Sequence, residues 1–309
     1  MSAYFPFDKD IFEMKLGARP VDLSQLIEVE PEDYQLEIAL KNSILAQDYS
    51  YYFQAAQGTE ALQWETIEVI LPQMARRYPE HFCLKSEGES WLWQNKLLES
   101  ETRFQLGVTA SLPLPPLDWL GRQVQEDLLL MDGQTEAGIP LVAGQLCFAN
   151  DWCLGDKMGK SFLNIHTEVP LFHEQIGYSS SLLMERLKPG RPVWRLNWSI
   201  KTSNRLNLAT RFSREIALTK DGLTPENVGE RCYLRLERQT LCRLPRTNGI
   251  LFTVRTYQTR LTSLTQNPLQ ARNLLGILKT APPPFLEYKG ITSFAQSLIT
   301  YLENLPPDR

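Results

Sequence analysis

Residues 232–261 read CYLRLERQTLCRLPRTNGILFTVRTYQTRL, and this stretch decides the fold. Two strand-like runs flank Arg246-Thr247-Asn248-Gly249. Asn-Gly accepts the positive φ that tight turns demand, so the stretch predicts a β-hairpin. Upstream, PVWRLNWSIKT (192–202) alternates Val193, Arg195 and Asn197 with Trp194, Leu196 and Trp198. That period of two predicts a strand with one polar face. PLVAGQLCFA (140–149) is short, apolar and bounded by turn residues, which predicts a further strand.

Helical spacing surrounds these strands. Leu36, Leu40, Ile44 and Leu45 recur through residues 33–47, and a similar pattern runs through 59–79, with Thr59 as a cap and Pro72 as a kink or break. A helix is expected from near Leu117, carrying Leu120, Val124, Leu128 and Met131 on one face and leaving Gln125, Glu126 and Asp127 in solvent. Residues 89–107 are ambiguous, with WLWQ suggesting a strand near their start. Helices are expected again over 171–188, 267–280 and 291–305, while residues 1–32 read as an irregular arm. Helices, then strands mixed with helices, then helices again point to an α+β fold with an antiparallel sheet.

Composition narrows the function. A net charge of −4 gives the whole chain no electrostatic reason to bind nucleic acid. No apolar run approaches the ~20 residues that span a bilayer, and the N-terminus lacks the basic-then-apolar pattern of a signal peptide. A cytoplasmic location is therefore expected. The five cysteines form no C-x-x-C pair, which argues against a disulfide framework and a thiolate metal site. Cys147 and Cys153 have no spacing that supports them as thiolate ligands. Phosphate-binding glycine loops, the dinucleotide fingerprint, the hydrolase elbow and H-E-x-x-H are all absent.

The segment SFLNIHTEVPLFHE (161–174) holds two of the three histidines, His166 and His173. They are seven apart, but Pro170 lies between them and argues against one shared helix. A mononuclear metal site built from both with Glu168 or Glu174 is the weaker reading. His173 reads as a helix-start residue and His81 as a surface loop residue. His166 has two readings: a core histidine satisfied by a backbone carbonyl, or a single axial ligand to haem iron. These residues alone favour the first. The polar strand positions divide similarly. Arg235, Glu237 and Gln239 share one face and Arg238 falls on the other. Such a face is by default solvated; if it lines a cavity, its arginines suit the carboxylates of a ligand.

Four segments bring a resemblance into view: RQVQEDLLLM (122–131), LVAGQLCFANDWCLGDKMGKSFLNIHTEVP (141–170), RLNWSI (195–200) and LERQTLCRLPRTNGILFTVRTY (236–257). Their types and order resemble the haem-dependent oxidative N-demethylase alpha-subunit-like family, from about residue 5 to about residue 300. Each block alone is weakly diagnostic; the ordered set is specific. The resemblance implies one domain over residues 1–309, with an N-terminal arm and C-terminal helices. Its core would be a PAS-like antiparallel sheet whose surrounding helices enclose haem b. It also implies a haem-dependent monooxygenase that oxidises a small amine with O2 and releases an aldehyde. Electrons from NADPH would arrive through a separate flavin and iron–sulfur reductase, in keeping with the missing nucleotide fingerprint. Some relatives look like amine N-oxygenases, and a non-catalytic haem sensor or carrier is the rival from another class.

Residue by residue, His166 matches the histidine of the family's I-H-x-x-V-P block and is the implied ligand to iron. Arg238 and Arg243 match E-R-Q-T-L-x-R-L-P, as partners of the haem propionates or as holders of the pocket wall. Asn197 and Trp198 match an N-W block as pocket lining. Glu237 is the candidate to position an ammonium substrate, because a buried carboxylate needs a cationic partner. Glu168 departs from the H-x-P-V-P form common in the family, and a catalytic influence on substrate choice is expected there.

Overall fold

The structure is a computed structural model and describes residues 4–133 and 136–306. Among the described residues, ten strands form two antiparallel sheets. In chain order they are β1 (Arg19–Pro20), β2 (Phe53–Ala55), β3 (Phe82–Glu87), β4 (Ser90–Asn95), β5 (Ser100–Gln105), β6 (Asp127–Met131), β7 (Leu141–Gln145), β8 (Val193–Lys201), β9 (Tyr233–Arg243) and β10 (Ile250–Arg260). The large sheet has the order β1-β8-β9-β10-β6-β7-β2, and β3-β4-β5 form a small meander. The hairpin expected at 232–261 is the centre of the large sheet, with Arg243 opposite Ile250 and Arg238 opposite Arg255. Its turn uses Asn248 at φ 60°. The turn is held by Glu65, whose carboxylate accepts from the backbone N–H groups of Arg246 (2.6 Å) and Thr247 (2.8 Å).

The α+β architecture with antiparallel sheets agrees with the sequence, but the expected helix from Leu117 to Met131 is corrected. A short helix spans Pro116–Gly121, and residues 127–131 are β6, paired with β10 on one side and β7 on the other. Leu128, Leu129, Leu130 and Met131 are all buried. A central strand covered on both faces presents a continuous apolar run, whose chance spacing mimics a helical stripe. The solvated face expected at Gln125, Glu126 and Asp127 is also overturned, since all three are fully buried. Asp127 accepts the backbone N–H groups of Cys147 (2.7 Å) and Phe148 (2.9 Å), and Gln125 accepts that of Glu30 (2.8 Å). These side chains replace water for loop backbone that crosses the core.

Other helices occur where their spacing placed them. Glu60–Arg77 runs through Pro72 without ending. Pro31–Gln47 buries Tyr34, Ile38, Lys41, Ile44 and Leu45, but leaves Leu36 and Leu40 exposed, so its inner face is rotated from the one expected. Lys41 can sit inside because its ammonium donates to the carbonyls of Gly121, Val124 and Glu126 at 2.6–3.1 Å. One apolar cluster fills the space among these helices, the small sheet and β6–β7; a second lies beneath the helices Pro268–Thr280 and Ala295–Glu303. Among the described residues, no helix is long and apolar enough to cross a membrane.

Candidate functional site

One face of the large sheet floors a cavity of about 980 Å³. Leu129 and Met131 of β6, Phe252 of β10, Glu237, Gln239 and Leu241 of β9, and Arg195 and Asn197 of β8 all line it. Strand register explains the grouping: Arg195 faces Gln239, Asn197 faces Glu237, Phe252 faces Leu241, and Leu129 faces Phe252. Directly opposed residues share a face, so this one surface is polar on β8–β9 and apolar towards β6. The volume is at the upper end of the ~300–1,000 Å³ typical of ligand sites. The cavity continues round the open edge of β8 beneath the N-terminal arm, where Phe7 packs edge-on against Trp198 at 4.9 Å.

The segment 161–177 closes the opposite side. A short helix, Phe162–Ile165, is capped by Ser161 and ends at His166. The His166 Nδ1 lies 2.8 Å from the Phe162 carbonyl. A carbonyl only accepts, so Nδ1 carries the proton and Nε2 keeps its lone pair. Leu171, a bulky residue after Pro170, adopts φ 65° and turns the chain into a π-helical stretch, Phe172–Gly177. That turn brings the Phe172 ring flat onto the imidazole, with centroids 4.5 Å apart and planes 10° apart. Burial pushes the His166 pKa down to about 4, so the ring is neutral at neutral pH. Its ring orientation and tautomer are thus fixed, while its basic nitrogen has no hydrogen-bond partner among the described residues.

The polar wall is equally specific. Glu237 is buried, and its Oε2 accepts from Asn197 Nδ2 (3.1 Å) and Gln239 Nε2 (2.9 Å). The solvated face expected for Arg235, Glu237 and Gln239 is therefore corrected: it is an internal wall. Arg235 is itself fully buried and donates to the carbonyls of Leu206 and Phe148, tying two loops to the sheet. Lys289, at the end of the helix Pro283–Tyr288, reaches the open edge of β8 and donates to Asn197 Oδ1 (3.0 Å) and the Trp198 carbonyl (2.7 Å). Trp198, Phe285 and Tyr288 rings surround its ammonium at 5.3–5.8 Å. Burial lowers its pKa to about 7, against the opposing pull of Glu237. Lys201 pairs with Asp151, which adopts φ 65° at the cavity wall.

The sequence candidates separate in space. His166, Asn197, Trp198, Glu237 and Glu168 line the cavity. Glu168 lies at its rim, with its side chain 85% exposed and 3.9 Å from Lys157. Arg238 projects from the opposite sheet face, where it contacts Glu28 (3.3 Å) and the Gln25 carbonyl (2.7 Å). Arg243 donates to the carbonyls of Leu187 and Asn248 at the hairpin end. His173 is exposed and stands apart from any metal cluster, and no group of three metal-ligating side chains occurs among the described residues. Lys289 and the Lys201–Asp151 pair went unnoticed in the sequence. Lys201 ends the strand that carries Arg195 and Asn197 and could have been found from strand parity; Lys289 caps the short helix Pro283–Tyr288, whose sequence carries no signal of a site.

These features define a class: an α+β protein enclosing a large cavity between a sheet face and one oriented, neutral histidine. A family description for the haem-dependent oxidative N-demethylase, alpha subunit-like, matches residues 17–299, and the chain belongs to that family. The description implies haem dependence, oxidative enzyme chemistry and a partner subunit. The residues fit such a group: one imidazole with a free lone pair, apolar walls from Phe162, Ile165, Val169 and Leu129, and a guanidinium, Arg195, facing the same space.

Proposed function

We propose that this chain is the haem-b subunit of a monooxygenase that removes an N-alkyl group from a small amine, with a PAS-like sheet as its scaffold. The observation that carries this reading is the Nδ1 contact of His166 with the Phe162 carbonyl inside a cavity of about 980 Å³. Iron-ligating histidines commonly anchor their second nitrogen in this way, which fixes the ring and strengthens the ligand. His166 would hold the iron, and Phe172 and Phe162 would keep its plane. Bound haem would supply O2 activation and electron acceptance; the protein supplies orientation and a dry pocket.

In the balanced reaction, a methylated amine, O2 and two electrons with two protons yield the demethylated amine, formaldehyde and water. The electrons come from NADPH through a separate flavin/iron–sulfur reductase. Glu237 has one oxygen committed to Asn197 and Gln239 and would use the other to hold the substrate ammonium. Lys289, with its depressed pKa, would share the proton inventory of that wall. Trp198 and Asn197 shape the pocket, and Glu168 at the rim tunes which amine enters. Arg238 and Arg243 would hold the wall rather than touch the ligand, since Arg238 lies on the opposite sheet face against Glu28 and the Gln25 carbonyl, and Arg243 is held by the Leu187 and Asn248 carbonyls.

Protein produced with haem supply should show a Soret band that His166→Ala removes or shifts. A wild type without the band defeats the haem reading, and an unchanged band in the variant defeats His166 as ligand. Formaldehyde release from a panel of secondary amines, with a reductase supplied, then tests N-dealkylation against N-oxygenation and against a sensor or carrier.

A further inference from the structure

Four buried arginines of the large sheet, Arg235, Arg238, Arg243 and Arg255, each make hydrogen bonds or ion pairs with the protein. Arg195 differs. No described residue hydrogen-bonds or ion-pairs with its guanidinium; Arg235, Arg238 and Arg255 also leave a buried Nε without a hydrogen bond, but each has other guanidinium nitrogens engaged. Its surroundings are desolvating enough to hold its pKa below the ordinary arginine value, and the surface it keeps faces the cavity. Glu237 attracts it, but spends an oxygen on Asn197 and Gln239 and lies beyond ion-pair distance. Lys289 lies near enough to be disfavoured as a cation by Arg195. Two of its three N–H groups are used by Asn197 and Trp198.

A half-buried guanidinium with its Nε enclosed and no protein anion is poorly solvated, and an anion entering the cavity would supply the partner that the protein does not. We infer that Arg195, flanked by Lys289, is a carboxylate-binding subsite of the cavity. The guanidinium fork fits a carboxylate through two parallel hydrogen bonds. Arg195, with Lys289 beside it, makes this part of the wall cationic, and the planar fork matches the two oxygens of a carboxylate. The carboxylate has two chemically equivalent carriers, a propionate of the cofactor or the acid group of an amino-acid-type amine. The inference deepens the function proposed above; it rests on that reading for the carrier but not for the anion.

Calorimetric titration separates these cases. Acetate is first titrated into haem-free wild type and Arg195→Gln. Loss of a charge-assisted pair should weaken binding roughly tenfold or more. Haem is then compared with its dimethyl ester on the haem-free protein, and N-methylglycine with dimethylamine on the haem-loaded protein. If the cofactor carries the carboxylate, the ester binds at least about tenfold more weakly than haem while the two amines bind alike. If the substrate carries it, N-methylglycine binds at least about tenfold more tightly than dimethylamine while haem and ester bind alike. In either case Arg195→Gln removes the difference and Arg195→Lys restores part of it. The inference is overturned if wild type discriminates in neither pair and acetate binds no better than to Arg195→Gln. The wild-type comparisons need no variant, so discrimination in neither pair overturns the inference even if Arg195→Gln misfolds, and Arg195→Lys then supplies the variant that locates the effect. Failure to bind haem at all would remove the proposed function, while acetate and the two amines, titrated into haem-free protein, would still decide the subsite.

Discussion

The two faces of the central hairpin treat buried charge in opposite ways. On the face away from the cavity, Arg255 is fully buried and pairs with Glu37 (2.6 Å) and Glu30 (3.0 Å). Beside it, Arg238 meets Glu28, whose carboxylate also accepts from the Tyr4 and Tyr257 hydroxyls at 2.6 Å. Every guanidinium there has an anion, so those charges bind the arm and the helix Pro31–Gln47 to the sheet. On the cavity face, Arg195 has no anion, Lys289 is held partly discharged, and His166 is neutral with an unused nitrogen. Charges paired with anions mark scaffolding, whereas a cation left without one beside a cavity marks a place where a ligand finishes the arrangement.

That contrast can be broken by mutation. The largest stability effect is expected from Arg255→Met, which strands Glu30 and Glu37 and should cost about 3–5 kcal/mol in urea unfolding. A loss under about 1 kcal/mol would show that the ion pairs are not the fastening they resemble. A pH effect comes next. His166 has a folded pKa of about 4 against an ordinary value of 6.5, so between these values the unfolded chain binds more protons. Stability should therefore fall as pH drops from about 6.5 to about 4, by no more than about 3 kcal/mol, and His166→Leu should flatten that interval. Arg195→Met, the cavity-side counterpart of Arg255→Met, should leave the ligand-free protein within about 1 kcal/mol of wild type or more stable, because it removes a buried charge that nothing neutralises. A strong destabilisation would erase the distinction between the two faces. The smallest effect belongs to Glu168→Gln at the rim, where unfolding should change by under about 0.5 kcal/mol while amine preference shifts.

Much of this was legible in local pattern. Period two placed β8, Asn-Gly placed the β9–β10 turn, and the helix expected over 267–280 is present as Pro268–Thr280. The ordered family blocks directed attention to His166 and Glu237, and both line the cavity. What misled was burial. Leu128–Met131 looked helical because a strand covered on both faces loses its alternation, and Gln125, Glu126 and Asp127 looked wet because polarity alone does not reveal that loop backbone is waiting for them.

The sequence by itself determined β7, β8, the β9–β10 hairpin with its turn chemistry, and the family, because these depend on neighbours along the chain or on ordered motifs. Only the tertiary structure decided which arginines meet anions, that Lys289 reaches Asn197 across 92 positions, and that Phe172 lies on the His166 ring. Those facts depend on register, on the positive φ at Leu171 and on which faces are enclosed, so no window of residues contains them.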